Sequence, residues 1–196
     1  MSRVLEYGDI QFWFRPSVQP AEAHEVELGV QSFFAVMSPA NASHHRRLRI
    51  GKKRMPASSH ERFWARVERV GPLQRVLGDI AEAETYTTKT RGERYQPGAR
   101  PIASGSYELV QEDDHVRLAY TLDRVVDRVV DRVIEDDDMP RVEDGSHLVL
   151  FEAPPDSKAT WTTTGDTHYL DQEGAEIVLV GHRAGVAPET AVDPDT

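Results

Sequence analysis

The chain has 196 residues, 39% of them hydrophobic and 8% aromatic, which suits one globular domain with a sizeable core. It contains no cysteine, which excludes disulfides, thiolate catalysis, cysteine-based zinc sites and iron–sulfur clusters. Its net charge of −10 argues against adhesion of the whole molecule to nucleic acid, so any such contact must be local.

A local patch of that kind lies in residues 44–100. This stretch holds 14 of the 23 Lys and Arg residues and 6 of the 33 acids, a formal charge of +8 against −18 for the remainder. The first residues lack the apolar run of a signal peptide, and no apolar stretch has the length of a membrane span. The expectation is a cytoplasmic protein with no membrane partner.

In chain order, 10–15 reads as a strand with Phe12 and Phe14 on one face and Gln11, Trp13 and Arg15 on the other. Residues 30–37 are apolar on both faces, as in a central strand. If 45–53 is extended, Leu48 and Ile50 point inward, and His45, Arg47, Arg49 and Lys53 form a row facing outward. That row fits a phosphate backbone, or it is the charged guard of an edge strand.

Ser58 and Glu61 have the spacing of a capping box, so 59–70 reads as a helix, or as a strand with Phe63, Ala65 and Val67 on one face. Leu73, Val76, Leu77 and Ile80 have helical spacing after Pro72. Residues 91–101 read as an exposed loop carrying Arg91, Arg94 and Tyr95, next to Lys89. Such a loop has the residues to stack on a base and contact phosphates.

Residues 106–122 form the clearest hairpin, turning at Glu112, Asp113 and Asp114. Two copies of Asp-Arg-Val-Val and a third ending Val133-Ile134 then mark 123–138 as a repeat insertion, either a marginal helix or a tolerant loop. Short strands follow at 147–151 and 161–164. A last hairpin is expected to turn at 171–174, and 185–196 reads as a disordered acidic tail.

Several short pieces resemble an uncharacterised, conserved prokaryotic family of hypothetical proteins. They are Gly8-Asp9-Ile10 with Phe14-Arg15-Pro16, Gly51-Lys52-Lys53-Arg54-Met55-Pro56, Arg62-Phe63-Trp64, Lys89-Thr90-Arg91-Gly92-Glu93-Arg94 with Ala99-Arg100-Pro101, and His115-Val116-Arg117-Leu118-Ala119-Tyr120. The resemblance implies no catalytic residue and no cofactor. No phosphate-binding loop, dinucleotide fingerprint, nucleophile elbow or metalloprotease motif is present in the sequence.

The expected fold is a single α+β domain over 1–184, mainly antiparallel β-sheet with one or two short helices. The expected function is a non-enzymatic binding module for RNA, DNA or another polyanion. Its anion-binding residues would be Arg47, Arg49, Lys53, Arg54, Lys89, Arg91, Arg94 and Tyr95, with no catalytic residue, metal or cofactor. Two alternatives stand beside it. One is a module that docks an acidic protein, or its own acidic half in a homodimer. The other is a small enzyme on a phosphorylated substrate, using Glu82, Glu84 or Glu93 as base.

Overall fold

Strands whose apolar residues alternate with polar ones must bury one face, and in this chain they do so by closing on themselves. A computed structural model describes residues 1–21, 29–125, 140, 142–153, 155, 158–163 and 165–181. The first strands are β1 (Arg3–Pro16), β2 (Gln19–Pro20), β3 (Val30–Pro39), β4 (His45–Ile50) and β5 (Arg62–Gly71). Helix α1 (Leu73–Ala81) is followed by β6 (Glu84–Thr88), β7 (Gly92–Gln96), β8 (Arg100–Glu112) and β9 (His115–Val125). The chain continues with β10 (Gly145–Glu152), β11 (Trp161–Thr162), a 3-10 turn (Thr167–Asp171) and β12 (Glu176–Gly181).

Two antiparallel meanders build the main sheet. β1, β3, β4 and β5 run side by side, and β8, β9, β10 and β12 do the same. β8 pairs with β1, and β12 pairs with β5. These seams join the meanders into a closed eight-stranded barrel, completed by the β9–β10 ladder in which Tyr120 faces Gly145. The expected α+β arrangement, a sheet with helices packed on it, is therefore incorrect. The sheet covers its own apolar face, and α1 is the one α-helix among the described residues.

An eight-stranded barrel has an interior just wide enough for side chains to fill. Here Ile10, Phe12 and Phe14 of β1 meet Phe33, Ala35 and Met37 of β3, Leu48 and Ile50 of β4, and Phe63, Ala65 and Val67 of β5. Phe12 stacks on Phe33 with ring centroids 5.8 Å apart and reaches Tyr120 of β9 at 5.0 Å. Leu170 of the 3-10 turn belongs to the same core and is 1% exposed.

Several local expectations change. β4 has partners on both sides, β3 and β5, so its charges do not guard an edge. Residues 62–71 are strand, and Glu61 caps no helix; its carboxylate takes the Arg54 guanidinium and the Ala57 N–H. The exposed loop expected at 91–101 is instead β7 and the start of β8. The last hairpin does not form, because the 3-10 turn occupies its first arm and β12 pairs with β10 and β5. Residues 126–138 of the repeat insertion and the expected tail at 185–196 lie outside the described residues.

Outside the barrel, α1 lies against β4 and β5. Its Ile80 packs with Phe34 and Ala99, and Trp13 and Leu77 flank that cluster. β2, β7 and β6 form a separate small sheet, a hairpin arm inserted between α1 and β8. No helix among the described residues is long and apolar enough to cross a membrane.

Candidate functional site: an arginine groove on the barrel exterior

Side chains alternate across a strand, so Arg46 and Arg47 leave β4 in opposite directions. Both are buried, at 1% and 2% exposure. Arg46 enters the barrel end. Its two terminal nitrogens donate to Glu6 at 2.7 and 2.9 Å, and its Nε donates to Asp171 at 2.6 Å. Tyr107 donates its hydroxyl to the same Glu6 at 2.7 Å, and His44 Nε2 lies 2.6 Å from Asp171 Oδ1. Burial pushes the Tyr107 hydroxyl pKa up, and the Glu6 hydrogen bond adds to it. Partial burial works to raise Asp171, but the Arg46 hydrogen bond and charge outweigh it and hold the carboxyl below the usual range. This cluster ties β1, β4, β8 and the 3-10 turn together.

Arg47 points outward, under α1. It donates to the Val76 carbonyl at 2.6 Å, to Asp79 at 2.5 and 3.0 Å, and to Glu68 at 3.2 Å, with its guanidinium over the Phe34 ring. It forms part of a groove of about 560 Å³ whose lining includes Arg15, Arg49, Arg66 and Arg69. Five arginines and three carboxylates (Glu68, Asp79 and Glu173) line it, a formal surplus of two positive charges. α1 forms one wall. The other comes from Glu173 and Gly174, strapped to β5 by the Gly174 N–H donating to the Val67 carbonyl at 2.7 Å and by the Val70 N–H donating to the Glu173 carboxylate.

The register of β4 against β5 sets arginines face to face. Arg49 is opposite Arg66, and Arg47 is opposite Arg69. Between these pairs a bulge inserts Glu68, which has no cross-strand partner of its own. Like charges directly opposite each other destabilise a sheet. Glu68 answers Arg47 and Arg49, and Asp79 answers Arg47 and Arg69, at 3.6 Å for the latter. Arg66 is exposed and has no ion pair or hydrogen bond among the described residues. The Arg47 hydrogen bond, with the charges of Arg47 and Arg69, holds Asp79 below the usual carboxylate range. The Val70 N–H and Arg75 do the same for Glu173.

Of the eight residues expected to bind anions, the groove takes Arg47 and Arg49, and Arg47 is already saturated by carboxylates. Arg54 is held by Glu61 and lies 5.1 Å over the Phe63 ring. That arginine holds the Glu61 pKa down to about 2. Lys53 is exposed beyond the end of β4, and Lys89 and Arg91 sit at the tip of the β6–β7 arm. Arg94 and Tyr95 face opposite sides of the arm, paired with Tyr86 and Thr85, so they do not form one stacking loop. Arg15 links groove and arm. It donates to the Pro97 carbonyl at 3.2 Å and approaches Glu84 at 4.0 Å.

Sequence reasoning missed Arg15, Arg66 and Arg69 as groove residues and Glu68 and Asp79 as their partners. The alternation of Trp64, Arg66 and Glu68 against Phe63, Ala65 and Val67 was the available signal. Glu82 and Glu93 are exposed and are not among the residues lining this groove, and Glu84 approaches it through Arg15. No group of three or more His, Asp or Glu side chains among the described residues is placed to hold a metal ion.

The fold and the site together define a closed antiparallel β-barrel with a packed interior and an arginine-lined groove on its outer wall. No family model, curated protein or solved structure matches this chain.

Proposed function

We propose that the protein is a non-enzymatic binding module, placed in the cytoplasm, whose outer groove takes the phosphates of a nucleic acid or another polyanion. The observation that carries this reading is the pair of Arg–Arg cross-strand contacts, only partly answered by Glu68 and Asp79, with Arg66, which faces Glu176 across the β5–β12 ladder, making no ion pair among the described residues. An anion seated there removes a repulsion that the free protein tolerates. Two further points support it. The barrel interior is filled with side chains, which leaves the exterior for a ligand. The groove acids with displaced pKa values, Asp79 and Glu173, are shifted down, whereas a general acid or base at neutral pH needs a carboxylate shifted up.

The test is a titration of heparin or a labelled oligonucleotide at several salt concentrations. The binding constant should fall linearly in log–log, and Arg66→Ala should flatten the slope by about one unit. The absence of binding at low salt would sink the reading. A concentration-dependent mass without bound polyanion would point instead to docking between copies of the chain.

A further inference from the structure

Next to the groove stands an aromatic surface that charge alone does not explain. Trp64 precedes Arg66 by two residues on the outer face of β5, a step of about 7 Å along the strand. It is 40% exposed, although large aromatics contribute most when buried. Trp161 of β11 packs edge-on against it, with centroids 4.7 Å apart and planes at 80°, which fixes the ring's orientation. On the β4 side the neighbour is Gly51, whose N–H donates to the Trp64 carbonyl at 2.6 Å. A Cβ at Gly51 would lie 3.0 Å from that carbonyl oxygen and 3.4 Å from the Trp64 Cβ. Glycine therefore leaves the indole uncovered on that side, and the exposed Lys52 and Lys53 follow directly.

Resting on the reading of the groove as a polyanion site, we infer that its ligand is single-stranded nucleic acid, with one base stacked on Trp64 and the adjoining phosphates on Arg66 and Arg49. A held, exposed indole one strand step from an unpaired guanidinium suits a ligand that alternates flat apolar rings with negative charges. A duplex keeps its bases stacked inside and offers Trp64 nothing. Inorganic polyphosphate has no rings. Single strands present both, and such surfaces bind them by stacking with little dependence on sequence.

The experiment compares three probes at low salt: a labelled oligothymidylate, a duplex of the same length and inorganic polyphosphate. Each is titrated against the full chain and against Trp64→Ala, Trp64→Phe and Arg66→Ala. The oligothymidylate should bind more tightly than the duplex and quench the tryptophan fluorescence. Trp64→Ala should weaken it by about five-fold to a hundred-fold and leave polyphosphate binding unchanged. Trp64→Phe keeps a ring against Trp161 and should retain most of the affinity, which separates stacking from a folding defect. Arg66→Ala should weaken every probe. If Arg66→Ala weakens all probes while Trp64→Ala and Trp64→Phe bind oligothymidylate as well as the parent chain does, the groove is a polyanion site and the single-strand assignment is wrong. If no probe binds, the reading of the groove fails and this inference fails with it.

Discussion

Two buried arginines, adjacent on one strand, were placed in opposite circumstances. Arg46 inside the barrel meets two carboxylates, Glu6 and Asp171, and Tyr107 fills a remaining acceptor position. Arg47 outside meets Asp79 and Glu68, but it shares them with Arg49 and Arg69. The inner cluster is complete without a visitor. The outer groove keeps a formal surplus of two positive charges, and Arg66 in it is open to solvent and makes no ion pair among the described residues. The same residue type thus serves closure on one side of the wall and reception on the other, and the difference comes from the supply of acids.

The sharpest way to break the comparison is Arg46→Ala. It strands Glu6 and Asp171 at the barrel end and should cost about 3–5 kcal/mol, read by denaturant unfolding. Arg66→Ala should leave the stability within about 0.5 kcal/mol of the parent value, since it breaks no hydrogen bond or ion pair among the described residues. Equal losses from the two substitutions would erase the distinction. Glu68→Gln is the next step down. It frees Arg47 and Arg49 from a competing carboxylate and should tighten polyanion binding by about two- to five-fold, at a stability cost of about 1 kcal/mol or less.

The smallest effect concerns pH. Asp79 has a depressed pKa in the folded protein because Arg47 hydrogen-bonds it. Its contribution is therefore fully present above the ordinary aspartate value of 3.8 and is lost as pH falls through the depressed one. Asp79→Asn should flatten that acid limb of the stability curve, read by denaturant unfolding at several pH values. An unchanged acid limb would mean that Arg47 does not hold this carboxylate in solution.

Much of the strand pattern was legible because a period of two is a local property. Phe12 and Phe14, and Val116, Leu118 and Tyr120, announce their inward face without knowledge of any partner strand. Closure was not legible. It depends on β1 finding β8 and on β5 finding β12, pairings between distant segments that no window of sequence contains. The same blindness affected the site. Arg47 and Arg49 were assigned to the outer face by parity, yet their acid partners on β5 and α1 appear only once the register brings Glu68 and Asp79 beside them. Arg46 passed unnoticed because a charge on an inward position looks like an interruption until Glu6 and Asp171 are seen around it. Residues 91–101 were misread because β7, Gly-Glu-Arg-Tyr-Gln, has no apolar alternation and is held by pairing with β6 and β2.

The seam between β5 and β12 also sets a timetable for synthesis. As the chain leaves the ribosome, the β1-to-β5 meander emerges first, with one open edge at β1 and another at β5. β8 can cover the first. The second stays open until Glu176 and Ile177 arrive to pair with Arg66 and Ala65, on the order of ten seconds later at ordinary elongation rates. During that interval Trp64 and Arg66 belong to an unprotected strand edge. Truncation before β12 would make that state permanent, and a chain cut there should be recovered as aggregate rather than as a smaller barrel.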